Sequence, residues 1–263
     1  MDSIKLRLIK KFPRQYGMLW RLKEKILKPW KRRLILKNKT IFLGGKDQDR
    51  WVIEEVFYNT KKKRFFLDLG ASDGWLGTNT LILEKHFGWD GICIEPDPEL
   101  YKKLCKERAC KCLNICIDEK CRQVEYLFNE GRGGIIDDDT DNNLKQRRDL
   151  ILKYRKNNNT AIIPTKTLHE VLEENNAPKI IDYFSFDVEG SETRILRNFP
   201  FHSYTFLSMT IERPTPELNS ILFNNDYVFV KNHKVDSFYV HSSISNINEI
   251  HKETFSQIPL KVW

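Results

Sequence analysis

Five short apolar runs in this chain each end on, or close to, a carboxylate: "FFLDL" at Asp68, "GICIE" at Glu95, "CLNICID" at Asp118, "IDYFSFD" at Asp187 and "TFLSMTIE" at Glu212. Short runs rich in branched and aromatic residues, without strict alternation, are the pattern of strands covered on both faces. Between them lie segments with helical spacing, at 77–87, 98–107, 167–175 and from Gly190 onward. Strands that alternate with helices predict an α/β chain with a mostly parallel sheet and helices on both faces. In such a sheet, ligands bind outside the carboxyl ends of the strands. The five carboxylates therefore mark one rim. A buried carboxylate is costly unless something hydrogen-bonds it, so partners are expected there too.

At 263 residues the chain can hold one such domain and an extension. The charge is unevenly placed. Residues 1–40 carry 14 Lys/Arg against Asp2 and Glu24, a net +12, which leaves 30 basic and 34 acidic residues in 41–263, a net −4. The domains expected are a basic extension over 1–44 and a catalytic body over 45–263. The leader interleaves Lys and Arg with Ile, Leu and Trp. It holds neither a membrane-span run of about 18 apolar residues nor a signal-peptide core, so a cytoplasmic location is expected. A solvated basic helix or arm is the simplest reading of it. Trp20 and Trp30, beside basic residues, extend that reading to peripheral contact with an anionic membrane. The six cysteines fall between Cys93 and Cys121 without paired CxxC knuckles. They read as reduced, structural thiols.

Further along the chain, 48–59 reads as an amphipathic helix, 112–117 as the third strand and 124–128 as a fourth. Residues 129–149, Gly-rich and then charged, read as a long loop of the kind that is usually functional. "DYVFVK" and "SFYVH" close the chain with strand signals.

The turn after the first strand, Gly70-x-x-x-Gly74 preceded by Asp68, lacks the middle glycine that a dinucleotide pyrophosphate needs. A cofactor without phosphate, with an amino group and a carboxylate, suits it better, and S-adenosylmethionine is such a molecule. Gly70 and Gly74 would let the backbone approach the ligand. Asp68 would help to hold its cationic end, and Glu95 would accept both ribose hydroxyls.

The stretches "GGKDQDRWVIEEVF", "FFLDLGASDGWLGTNTLILEKHFGWDGICIEPDPELYKKL", "GGI", "PTKTLHEVL" and "IDYFSFDVEGSETRIL" followed by "IER" resemble, in order, the FkbM-type S-adenosylmethionine-dependent methyltransferases, over about 45–230. The resemblance implies a Rossmann-like class I methyltransferase fold, with a seven-stranded, mostly parallel sheet whose last strand is antiparallel. It implies methyl transfer, generally to oxygen, often on sugars or secondary metabolites. By matched position it implies that Asp68, Gly70, Ser72, Asp73 and Gly74 form the cofactor loop, that Asn79 closes over it, and that Glu95 takes the ribose. The rim carboxylate Asp118 is placed with the cofactor residues. Asp187 and Glu189 belong to the motif after the fourth principal strand. His169 stands where an acidic residue is common, and the leader is not part of the shared domain.

An acceptor hydroxyl must lose a proton on methylation, so a general base or a metal is needed. Asp187 is the candidate base, with a helix N-cap as its ordinary alternative. Glu189 is divided between capping, backbone hydrogen bonding and a catalytic role. No metal is required by this reading; a divalent ion, if one takes part, would sit on Asp187 and Glu212, with a strand-end carboxylate paired with Arg213 or another base as the ordinary alternative for Glu212. His86, His169 and His202 read as surface residues. The expected acceptor is a hydroxyl of a glycan or small metabolite. The alternatives are a nucleic-acid methyltransferase using the basic arm, which the acidic body and the lack of an NPPY-like tetrapeptide speak against, and a cofactor-binding module without turnover. If Glu95 holds the ribose, Glu95→Ala should weaken binding of S-adenosylmethionine or its demethylated product by roughly 1.5–3 kcal/mol in calorimetry.

Overall fold

The structure, a computed structural model, describes residues 28–30, 33–35, 42–58, 62–75, 77–129 and 131–259. The chain divides into two compact units, 1–41 and 42–263. Most of the first unit lies outside the described residues, and with it the leader read above as a membrane-contacting arm. No helix among the described residues is long and apolar enough to cross a membrane.

The second unit opens with α1 (Gln48–Trp51), which widens into a π-turn over Val52–Val56. Then follow β1 (Phe65–Leu69), α2 (Leu81–Phe87), β2 (Asp90–Ile94), α3 (Pro98–Glu107) and β3 (Lys111–Leu113). An inserted block comes next: β4 (Cys116–Ile117), β5 (Gln123–Leu127), β6 (Gly134–Ile135), α4 (Leu144–Lys156) and β7 (Thr160–Lys166). The chain ends with α5 (Leu168–Glu174), β8 (Ile180–Phe186), α6 (Glu192–Arg197), β9 (Thr205–Glu212), α7 (Pro216–Phe223), β10 (Tyr227–His233) and β11 (Asp236–His241).

The main sheet has seven strands in the order β10-β11-β9-β8-β1-β2-β3. β1 pairs in parallel with β2 and β8, and β8 with β9, while β11 runs antiparallel to both neighbours. The chain order reverses between β1 and β8, which makes their carboxyl ends the switch point where a ligand binds. Burial explains the sheet. Leu67, Phe184, Phe206, Met209 and Ile211 are fully buried in one core layer. Trp51, Ile53, Phe66, Tyr183 and Val240 fill the layer on the other face. The helices start where their sequences supply caps: Asp97 accepts from the amides of Glu99 and Leu100, and Thr167 forms a capping box with Glu170.

Three expectations need correction. The run 112–117 is not one strand: Lys111–Leu113 joins the main sheet and Cys116–Ile117 pairs with β7 in a second sheet, of order β4-β7-β5-β6. Asn114, whose Nδ2 donates to the carbonyls of Glu95 and Pro96, turns the chain between them. The segment 129–149 is not all loop, since β6 and the first turns of α4 lie in it; α4 buries only Ile151, so its sequence carries no apolar stripe. The helix expected at 77–87 begins only at Leu81, because Thr78 Oγ1 accepts from the amides of Thr80 and Leu81 and holds the chain in a turn. All six cysteines are free.

Gly91 shows how tightly the first two strands close. A Cβ there would lie 2.4 Å from the ring of Phe66, its register partner on β1, and Phe66 is completely buried. Gly91→Ala should therefore destabilise the protein by about 1–3 kcal/mol through overpacking. Phe66→Leu in the same chain should recover part of that loss in chemical denaturation.

Candidate active site

Asp68 is 4% exposed, on a strand whose other inner residues are apolar. Thr80 Oγ1 donates to its Oδ2 over 2.6 Å, and Arg108 Nη1 lies 3.9 Å from the same oxygen. Arg108 donates through Nε to Glu84 at 2.6 Å and through Nη2 to Thr80 at 2.9 Å, and it sits over the ring of Phe66. Burial pushes the Asp68 carboxyl up, and the guanidinium and hydroxyl oppose that shift. What arrives at Asp68 is thus chiefly protein. Asp68 also lines a small polar cavity of about 290 Å³ with Ser72, Thr78, Asn79, Ser185 and Asp187.

A larger cavity of about 610 Å³, including its open mouth, lies beside it. Ile94, Pro96, Leu100 and Ile117 give it an apolar wall, Glu95 a carboxylate, and Val188, Glu189 and Ser191 also line it. Gly70 and Asp187 line both cavities, so the two meet there. Gly70 has φ +82°, and a Cβ would fall 1.9 Å from the Asp187 carbonyl oxygen, so only glycine fits at the junction. Glu95 accepts from the amides of Ser72 and Asp97, and burial raises it to about 7.

The sequence-derived cofactor residues do not all face these cavities. Gly70, Ser72, Asn79, Asp68 and Glu95 do. Asp73 Oδ1 instead accepts from the Trp75 amide, and Asp73 lines neither cavity. Gly74 also lines neither. Its φ of +72° favours glycine, and a Cβ there would press on the side chains of Leu104 and Arg108. Asp118 is fully buried and spoken for: Arg194 donates to both its oxygens at 3.1 and 2.9 Å, and Arg122 donates at 2.7 Å. It joins α6 to the inserted block, and a carboxylate so paired has no oxygen turned to a ligand.

Asp187, Glu189 and Glu212 come together: one oxygen from each lies within 4.8 Å of the others. Asp187 does not cap α6, whose cap position is Ser191, and the amide of Val188 is taken by Glu192 instead. Burial raises Asp187 above the usual carboxylate range and Glu212 to about 7; the charge of Glu189 adds to the rise at Asp187, and that of Asp187 to the rise at Glu212. Glu212 Oε2 is buried with no hydrogen-bond partner. Two cations temper the cluster. Lys46 Nζ lies 3.5 Å from Glu212 Oε1 and also pairs with Asp236, while Arg213 donates to Glu212 at 2.7 Å and pairs with Asp141. Lys46 is delivered by the "GGKDQD" turn, in which Gln48 bonds Asp236 and Asp49 accepts from the amides of Leu43 and Gly44. Sequence reasoning missed Lys46 and Arg108; nothing in local pattern separates such cations from surface ones, although Lys46 lies in a stretch that carries the family resemblance. Arg213 is where sequence offered it, as the partner of Glu212.

The whole arrangement fits a ligand with an apolar-edged nucleoside half and a short charged half. The larger chamber offers an apolar wall edged by the carboxylates of Glu95, Asp97, Asp187 and Glu189; the smaller is polar, and Asn79 Oδ1 there is buried without a hydrogen-bond partner. The glycine junction between them adjoins the carboxylate cluster. Residues 68–238 match the family described as Methyltransferase FkbM domain. No curated protein matches the chain. Among solved structures it is similar to methyltransferase FkbM from Methylobacillus flagellatus KT, at 15% identity and a TM-score of 0.40, over 68% of this chain and 44% of that one. The chain thus spans less than half of that relative's length. It is similar also to a TehB-like SAM-dependent methyltransferase from Corynebacterium glutamicum ATCC 13032 Kitasato, at 10% identity and a TM-score of 0.39, over 83% of this chain and 96% of that one. A third likeness is to the METTL16 MTase domain, at 11% identity and a TM-score of 0.37, over 73% of this chain and 64% of that one. The chain belongs to the FkbM methyltransferase family, and its larger unit is an S-adenosylmethionine-dependent methyltransferase domain.

Proposed function

We propose that this methyltransferase acts on oxygen, methylating a hydroxyl of a glycan or small metabolite. One observation carries the reading: Asp187, where the two cavities meet, stands in a partly buried carboxylate cluster with Glu189 and Glu212. When bound, the cofactor supplies an electrophilic methyl group. Glu95 would hold its ribose, and Asp68, Ser72 and Asn79 would line the chamber of its amino-acid end. The chain must then orient the acceptor and take its proton. Asp187 is the proposed base, and burial raises it above the ordinary carboxylate range, which strengthens it as a proton acceptor. Lys46 and Arg213 keep the negative cluster from repelling itself apart. A body of net charge −4 speaks against a polyanionic acceptor.

The mechanism has a direct test. Asp187→Asn should retain most cofactor affinity and lose turnover by about 10²–10⁴-fold, measured with labelled cofactor and glycan extracts by mass spectrometry. Burial raises the Asp187 carboxyl, so its ionised, base-competent form is depleted toward acid pH and the rate should climb with pH as that carboxyl ionises. If a chelator abolishes turnover and magnesium restores it, the three carboxylates hold a divalent ion that activates the hydroxyl instead. If Asp187→Asn turns over like wild type, the base lies elsewhere on the rim.

The basic leader is proposed to seat the domain on anionic membrane. Removing residues 1–40 should abolish sedimentation with phosphatidylserine vesicles and leave cofactor affinity intact. Equal sedimentation of the two proteins would refute the proposal.

A further inference from the structure

Ser191 holds the cap position before α6, at φ −93° and ψ 2°, yet its side chain makes no capping bond. The residue is 2% exposed, and its Oγ is buried without a hydrogen-bond partner. Native interiors rarely leave a buried hydroxyl unpaired, and this one lines the larger cavity. A bound group would complete it.

The fold says which end of the cavity Ser191 occupies. Three residues further on, and so on the same face of the helix, Arg194 bonds Asp118, next to Ile117, and Asp137, two past Ile135. Ile117 and Ile135 both line the cavity with Ser191. Ser191 thus sits where β4, β6 and α6 converge, away from the small polar chamber of Asp68 and Asn79. With the ribose on Glu95 and the amino-acid end in that chamber, the remaining part of the cofactor, its nucleobase, extends toward this apolar end. Asp118, the carboxylate that sequence placed with the cofactor, is saturated by Arg194 and Arg122 and offers nothing to a base edge.

We propose that Ser191 Oγ is the nucleobase contact, accepting a hydrogen bond from the exocyclic amine of adenine. The proposal rests on the reading that Glu95 holds the ribose. It makes Ser191 a residue that selects the base of the cofactor, with no part in moving the acceptor's proton.

The test is calorimetry on the full chain with two probes: S-adenosylhomocysteine, and the analogue whose purine lacks the 6-amino group. Wild type should bind the adenine compound more tightly. Ser191→Ala should weaken S-adenosylhomocysteine by on the order of tenfold and leave the analogue unchanged, so that the gap between the probes closes. Its melting temperature should hold or rise, because an unpaired buried hydroxyl has been removed. Equal weakening of both probes, or of neither, overturns the proposal. Glu95→Ala supplies the other arm: it should weaken both probes alike, since both carry the ribose. If Glu95→Ala leaves both unchanged, the ribose placement fails, whatever Ser191 does.

Discussion

A carboxylate inside the first parallel strand is the constraint from which the rest of this site follows. Asp68 cannot stay ionised in an apolar layer on its own. The chain answers with Arg108, the residue that closes α3, whose guanidinium reaches Asp68, Thr80 and Glu84 and lies over Phe66. Each of those contacts fixes an element. Thr80 sets the start of α2, Glu84 lies within it, and Gly74 must remain glycine because Arg108 and Leu104 fill the space beside it. The cofactor turn is therefore shaped from behind by an ion network as well as from in front by its ligand. Removing one member of such a network leaves a buried charge unpaired, which costs far more than the net worth of the pair.

The inserted sheet plays a corresponding part on the other side of the cavity. It is joined to the Rossmann-like core by Arg194, which binds Asp118, Asp137 and Asp139, and by Arg213, which binds Asp141. Gly190, at φ +98°, lets the backbone of Asp141 approach to where a Cβ would stand 2.4 Å away. These contacts set Gly131, Gly133 and Ile135 in the cavity wall. Excluding water strengthens each electrostatic interaction within, including the mutual repulsion of Asp187 and Glu212. Lys46 and Arg213 are the local response to that repulsion.

Much of this was legible in the amino-acid sequence. Continuous apolar runs separated by helical segments identify a covered parallel sheet, because a strand buried on both faces has no polar side to alternate with. β9 and α3 have the limits read from sequence, since Pro214 follows the one and Asp97-Pro98 opens the other. Gly70 and Glu95 were legible too, from the turn and the strand end, and Ser72 and Asn79 through the family resemblance; all four line the cavities.

What the sequence could not settle were partnerships between distant residues. Asp118 looks in sequence like any other strand-end carboxylate, and only the tertiary structure gives it to Arg194, 76 residues away. Gly74 looks like a ligand-approach glycine until Arg108 is brought against it. The run 112–117 is apolar on both sides of Asn114, but two sheets share it, and the bonds of Asn114 decide the break. Lys46 and Glu212 lie more than half the chain apart, with nothing local to join them. The sequence by itself determined the elements, their parallel arrangement and the rim on which the chemistry gathers, because periodicity and turn chemistry are local properties. The tertiary structure alone decided which charges are consumed in holding the rim together and which remain for a ligand, because that depends on what each carboxylate meets when the sheet closes.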